Sequence, residues 1–387
     1  MFVAQDGDAG HPRGVESVFN YTESIDALRS IEMGKREPRA EAGMDERKLV
    51  ETMPSVGSLA STIYLRRNAD RELEDALGRF DSFVLLQGPR QTGKSTLLRY
   101  GLDRAQDQGA RIVRTDFCRL PEEAFETLAS FLRALADDLA HQLGLDDRIA
   151  DSWREERSPN KNLERYLSRS VLASEGPSIV WGWDDVDRLV DVPYGAQVFS
   201  LLRTWHNKRA LDSRASWDKI AVVMTHRSEP QQFITDINQS PFNVGTRIRL
   251  LDFTRDEVGT LCQRYGHPLP PKGVELESFY ALFGGHPALT QWGLQELTIH
   301  PCSLDELRDR ALSTDGGLRS HWQAFRRVLD EVPQAVMSLR EVAKHNRCTD
   351  LSNFSRLRTL GLISGQSATT ARLRCELYRS FIRRRWP

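Results

Sequence analysis

Hydrophobic and polar positions along this chain follow two different periods. Short apolar runs at Phe83-Val84-Leu85-Leu86, Ala110 to Phe117, Ser178 to Trp183 and Lys219 to Met224 have the length of buried strands. Between them apolar residues recur three and four apart, most clearly Phe125, Leu128, Phe131, Leu132, Leu135 and Leu139, which predicts a helix from Glu122 to Leu143. Helices are likewise predicted over Arg71 to Phe80 and Ala196 to Arg209, and a fifth strand after the turn at Pro241. Strands alternating with helices predict an α/β fold built on a doubly wound parallel sheet.

Beyond Asp252 the pattern turns helical. Thr254-Arg255-Asp256-Glu257 reads as a capping box, and further helices are predicted over Val274 to Phe283 and Ala288 to Leu297. Gly284-Gly285-His286-Pro287 joins the last two, with glycines for close backbone approach and a proline to open the helix. Asp350 is the expected N-cap of a helix over Leu351 to Leu360 that Gly361 ends. Leu362-Ile363-Ser364 and Arg372-Leu373-Arg374-Cys375 then pair as a hairpin before a last helix from Glu376, the order of a winged helix. The expected organisation is a polar, partly disordered arm over 1–56, an α/β core over 57–252, a helical lid over 253–312 and a winged-helix domain over 313–387.

The first strand runs into Gly88-Pro89-Arg90-Gln91-Thr92-Gly93-Lys94-Ser95-Thr96, a G-x-x-x-x-G-K-S pattern between strand and helix. Gly88 and Gly93 bend the backbone so that N–H groups, Gln91 to Thr96 among them, converge on a phosphate chain at a helix N-terminus. Lys94 reaches the β- and γ-phosphates in such a cradle, and Ser95 offers its hydroxyl to Mg²⁺. The third strand ends in Asp184-Asp185-Val186-Asp187. An acid at that place suits Mg²⁺, so Asp184 is the expected metal partner, and Asp185 the group that orients or deprotonates the attacking water. Thr225-His226-Arg227 closes the fourth strand beside the crevice, where Arg227, with its planar fork, is the better candidate for sensing a γ-phosphate. Tyr64 or Leu65, just before the first helix, is a candidate to cover the adenine, with plain core packing as the alternative.

Composition changes little in that picture. In 387 residues, 40% are apolar and 28% charged, which suits a globular protein of two or three domains. No run approaches the ~18 apolar residues of a membrane span, and the start of the chain lacks an export pattern, so a cytoplasmic protein without membrane contact is expected. Five scattered cysteines with no C-x-x-C pair indicate neither a zinc knuckle nor a disulfide framework. The net charge of −1 is uneven: residues 340–387 hold eleven Lys and Arg against three Asp and Glu.

Taken together these residues resemble the bacterial AAA-like ATPases of the wider AAA+/STAND class of P-loop NTPases. The likeness runs through Tyr64, Arg67 and Ala69-Asp70, the Gly88 to Thr96 loop, the Asp184 to Asp187 acids, and Arg203, Asn207 and Arg209-Ala210. It continues through Pro241 to Gly245, Asp252-Phe253-Thr254 and Gly284-Gly285-His286-Pro287. The resemblance implies an ATP-binding core, a helical lid and a winged helix acting as a nucleotide-controlled switch, with ATP or ADP and Mg²⁺ as ligands. It also implies that Thr225-His226-Arg227 is a threonine-arginine sensor and that Pro287 packs on the nucleotide. Asp185 departs from the glutamate usual in the family; being one methylene shorter, it predicts slow or partner-stimulated hydrolysis.

The expected role is a signalling or defence switch working with an unidentified protein partner, and a homo-oligomer is a candidate assembly with Arg203, Arg209, Arg247 or Arg249 as inter-subunit fingers. The alternative is a DNA-associated helper ATPase that grips duplex DNA through the basic tail, with Arg356 and Arg358 facing the duplex.

Overall fold

A computed structural model describes residues 63–385, apart from 146–148, 150–151, 174–175, 212–216, 228–242, 271, 314–315 and 331–332. The expected arm over 1–56 and the turn at Pro241 lie outside the described residues. The strands β1 (Phe83–Gln87), β2 (Arg111–Asp116), β3 (Ile179–Asp184), β4 (Ile220–His226) and β5 (Thr246–Arg249) form one sheet in the order β2-β3-β4-β1-β5. Every neighbouring pair is parallel. The C-terminal tips of β1, β2, β3 and β4 therefore lie along one edge, where open α/β sheets place their ligands.

The period of two along each strand divides the core. Phe83 and Leu85 of β1, Trp181 and Trp183 of β3, and Val222 and Met224 of β4 face one layer of helices. That layer comprises α3 (Leu128–Leu143), α4 (Pro159–Tyr166) and α5 (Gly195–Leu211). The intervening Val84, Leu86, Val180, Val223 and Ile248 face the other layer, α1 (Asn68–Gly78) and α2 (Lys94–Asp107). Both faces of the sheet are thus covered, which is why its strands read as unbroken apolar runs.

Two helix boundaries differ from the sequence expectation. The helix expected from Glu122 is a 3₁₀ turn, Glu122–Phe125, followed by α3, because the Thr127 hydroxyl accepts the Ser130 N–H at 3.0 Å and starts a new helix there. The helix expected from Arg71 begins at Asn68 and stops at Gly78, with Phe80 already in the left-handed region.

The helical half comprises α6 (Arg255–Arg264), α7 (Val274–Phe283), α8 (Pro287–Ile299), α9 (Leu304–Leu312), α10 (Arg319–Asp330), α11 (Pro333–His345), α12 (Leu351–Thr359) and α13 (Glu376–Arg385). The Thr254 capping box forms as the sequence requires: the Glu257 N–H donates to Thr254 Oγ1 at 3.2 Å and Glu257 Oε2 accepts the Thr254 N–H at 2.7 Å. Between α12 and α13 the strands β6 (Ile363–Ser364) and β7 (Arg372–Leu373) pair antiparallel. One continuous apolar core runs from Phe253 through α6–α9 and α10–α13, and Leu65, a candidate either to cover the adenine or to pack in the core, is buried in it.

Candidate functional site

The loop after β1 is shaped by its own short contacts. Gly93 caps α2 at φ 93°, a conformation that costs a residue with a side chain about 1 kcal/mol or more. The Thr92 hydroxyl donates to the Pro89 carbonyl at 2.8 Å, and Lys94 Nζ donates to the same carbonyl at 2.9 Å. Gln91 takes a left-handed turn, and the Gly88 N–H is anchored on the His226 carbonyl of β4. Thr96 lies in the first turn of α2 beside Ser95. Burial pushes the Lys94 ammonium down to about 8, an effect that Asp187 offsets and Arg227 reinforces.

Beneath this loop the strand tips bring the acids together. Ser95 Oγ donates to Asp184 Oδ1 at 3.0 Å, and Thr225 Oγ1 donates to the same oxygen at 2.6 Å. The Thr225 hydroxyl in turn accepts the Asp185 N–H at 2.8 Å. Asp185 sits in the left-handed region, φ 57°, which turns its carboxylate away from the strand. One oxygen of that carboxylate accepts from the Cys118 thiol at 3.1 Å, and the other lies 3.6 Å from the Arg227 guanidinium. Arg227 also reaches Asp187, through its backbone N–H at 2.8 Å and Nε at 3.4 Å. His226 is buried, and Arg227 is directed at the acids.

Chemically this is a buried ammonium, a paired hydroxyl and carboxylate, and a second carboxylate held between a thiol and a guanidinium. Ser95 and Asp184 fit Mg²⁺: two hard oxygen donors lie a hydrogen bond apart at the N-terminus of α2, leaving further positions for phosphate and water. Residues 53–384 match the AAA-like domain family.

The chain belongs to that family. Its fold is that of the P-loop ATPases: a Walker-type ATPase of Pyrococcus abyssi superposes with a TM-score of 0.55 at 17% identity, over 83% of this chain and 99% of the other. The Aeropyrum pernix ORC2 protein, in its ADPNP–ADP complexes, gives 0.44 at 14% identity over 86% and 95%. In sequence, an uncharacterized WD repeat-containing protein of Synechocystis is 30% identical over 245 residues, 61% of this chain. The chain spans 20% of that relative's length.

In this AAA-like domain the phosphate loop also carries contacts from the C-terminal part of the chain. His321 of α10 meets Gln91 Oε1 through Nδ1 at 2.8 Å. Arg374, following β7, holds the Asp252 carboxylate through Nε at 3.1 and 2.8 Å and through a second nitrogen. Its remaining nitrogen points at the carbonyls of Gly361, 3.3 Å, and Arg90, 3.5 Å.

The turn at Gly284-Gly285-His286-Pro287 lies below this clasp. A Cβ on Gly285 would stand 2.0 Å from the Phe253 carbonyl, so only glycine fits. Pro287 occupies the first turn of α8 and is buried; the ring of His286 before it is 5.9 Å from that of His321. Tyr64 donates its hydroxyl to Asp70 and stacks on Tyr100 with centroids 5.1 Å apart.

Of the candidate fingers, Arg209 is committed within its own chain, donating to the carbonyls of Phe80, Trp217 and Asp218 at 2.9, 3.2 and 3.1 Å. Arg247 and Arg249 are exposed on β5.

Five residues of the site were not singled out in the sequence for their contacts: Arg67, Arg114, Cys118, His321 and Arg374. Arg67 donates to the Thr92 carbonyl at 3.2 Å and lies over the Phe253 ring. Arg114 reaches Asp184 Oδ2 at 3.1 Å from two residues before the end of β2. Sequence signals existed for Arg67, which stands among the residues that carry the family likeness, and for Arg114, since a cation near the C-terminal end of a parallel strand lies near the ligand edge.

Proposed function

We propose that this AAA-like domain binds ATP between the Gly88 to Thr96 loop and the helical half, and works as a STAND-type switch in signalling or defence. Lys94 takes the β- and γ-phosphates, Ser95 and Asp184 hold Mg²⁺, and Arg227 senses the γ-phosphate. Bound Mg²⁺ neutralises phosphate charge. Asp185 orients the attacking water, and Tyr64 and Pro287 flank the base. Hydrolysis is slow or partner-stimulated, because the Asp185 carboxylate is short and already engaged by Cys118 and Arg227. The order α10-α11-α12-β6-β7-α13 supports a winged-helix reading of the tail.

The observation that carries the switch reading is the clasp on the phosphate loop itself, Gln91 to His321 and Arg90 to Arg374. A loop that reshapes around phosphates moves the partners of those two side chains, so nucleotide state biases the position of the C-terminal helices. Native mass measurement and limited proteolysis with ADP against a non-hydrolysable ATP analogue test this. Two distinct cleavage patterns are expected; bound nucleotide with identical patterns would sink the switch and leave the binding site.

A second reading rests on one observation: the last turn of α13 exposes Arg383, Arg384 and Arg385. A DNA-associated helper ATPase would use that face on duplex DNA. A mobility shift that weakens between low and high salt supports it, and no shift at low salt removes it.

A further inference from the structure

Asp184 meets two kinds of partner. Its Oδ1 accepts from the hydroxyls of Ser95 and Thr225, while its Oδ2 is taken by the Arg114 guanidinium at 3.1 Å. The carboxylate side chain is 5% exposed and that of Arg114 is 39% exposed, so the guanidinium forms the solvent-facing side of the pair.

Arg114 is held there from both directions. Gln142 of α3 donates to the Arg114 carbonyl at 2.9 Å and accepts the Arg114 N–H at 2.8 Å, and Asp138 steadies Gln142 at 3.0 Å. The residue paired with Arg114 on β3 is Gly182, and the residue paired with Asp116 is Asp184 itself. Residues paired in parallel strands share a sheet face, so Arg114, two residues before Asp116, lies on the face of Asp184 and reaches its carboxylate at the strand tip.

We propose that Arg114 is the resident counter-charge of Asp184 and competes with Mg²⁺ for it, setting how strongly nucleotide binding depends on the cation. This rests on the reading of Ser95 and Asp184 as the Mg²⁺ partners. A divalent ion approaching that carboxylate meets a fixed positive charge, so loading the cation requires Arg114 to yield Oδ2 or to remain as a repulsive neighbour. Without the cation the same guanidinium offsets the repulsion between Asp184 and the phosphates. Arg114 therefore has opposite effects in the two conditions, which a merely structural role would not produce.

The test is fluorescence titration of N-methylanthraniloyl-ADP onto the full chain, in EDTA and across a Mg²⁺ series, for wild type, Arg114→Met, Arg114→Lys and Lys94→Ala. For Arg114→Met the half-saturating Mg²⁺ concentration should fall at least fivefold while affinity in EDTA weakens at least fivefold; Arg114→Lys should lie between. Thermal melting checks that each variant is folded. A folded Arg114→Met that titrates Mg²⁺ as wild type does, or that weakens equally with and without Mg²⁺, overturns the inference. Binding that survives Lys94→Ala unchanged instead overturns the phosphate-loop reading. Absence of binding by wild type does the same.

Discussion

His321 Nδ1 lies 2.8 Å from Gln91 Oε1, joining the phosphate loop to a helix 230 residues further along the chain. Because the amide oxygen only accepts, the ring must donate through Nδ1. Burial, with Arg374 and Arg90 nearby, pushes the His321 imidazole down to about 3, so the ring is neutral at pH 7 and the contact is a neutral hydrogen bond.

That burial predicts acid sensitivity. His321 and His286 are both held below the ordinary histidine range by burial, so between about pH 6.5 and the folded value the unfolded chain binds protons that the folded chain does not. Stability is therefore full above about pH 6.5 and falls as pH drops, by up to about 1.4 kcal/mol per pH unit for each histidine. Urea midpoints from pH 7.5 to 4.5 should fall for wild type, and more gently for His321→Gln; parallel lines would refute the assignment.

The Asp252–Arg374 pair makes a second expectation. The Arg374 side chain is 3% exposed, and breaking a buried pair from one side costs about 3 kcal/mol. Arg374→Met should lower the melting temperature by several degrees and speed proteolysis of the C-terminal helices. The double variant with Asp252→Asn should recover part of the loss. Equal additive losses would show that the two residues do not act as a pair.

Lys94 gives a pH signature for binding. Its ammonium is lowered to about 8 by burial, while phosphates favour the charged form. ADP affinity should be flat below about pH 8 and weaken above it, approaching tenfold per unit. Lys94→Ala should lose on the order of 100-fold in affinity and the pH dependence with it. Calorimetry from pH 6.5 to 9.5 checks both.

Thr225 links the two acids, donating to Asp184 and accepting from the backbone of Asp185. Removing the hydroxyl in Thr225→Val leaves the shape and frees both groups. Phosphate release should slow on the order of tenfold with little change in ADP affinity. Asp185→Asn should slow it further. Identical rates in wild type and Asp185→Asn would mean that Asp185 takes no part in hydrolysis.

Much of the sheet was legible because a strand buried on both faces must be apolar along its whole length, as Val84 to Leu86 and Ile220 to Met224 are. Caps were legible for a similarly local reason: Thr254 with Glu257, and Asp350 with the Asn353 N–H at 2.8 Å, satisfy donors within four residues of themselves. The start of α3 was misread because Phe125 and Leu128 continue the helical spacing across the break that Thr127 makes.

By itself the sequence determined the phosphate loop, the strand-end acids and the alternation of strands with helices, since each depends on residues within one turn or one strand of one another. Only the tertiary structure decided what surrounds the loop. Arg114, Cys118, His321 and Arg374 come from a strand, a turn, a helix and the bend after β7, and apart from Arg114's place near a strand end nothing in their local spacing marks them. Sheet order and the packing of the helical core place them there, because both are fixed by contacts between residues far apart in the chain.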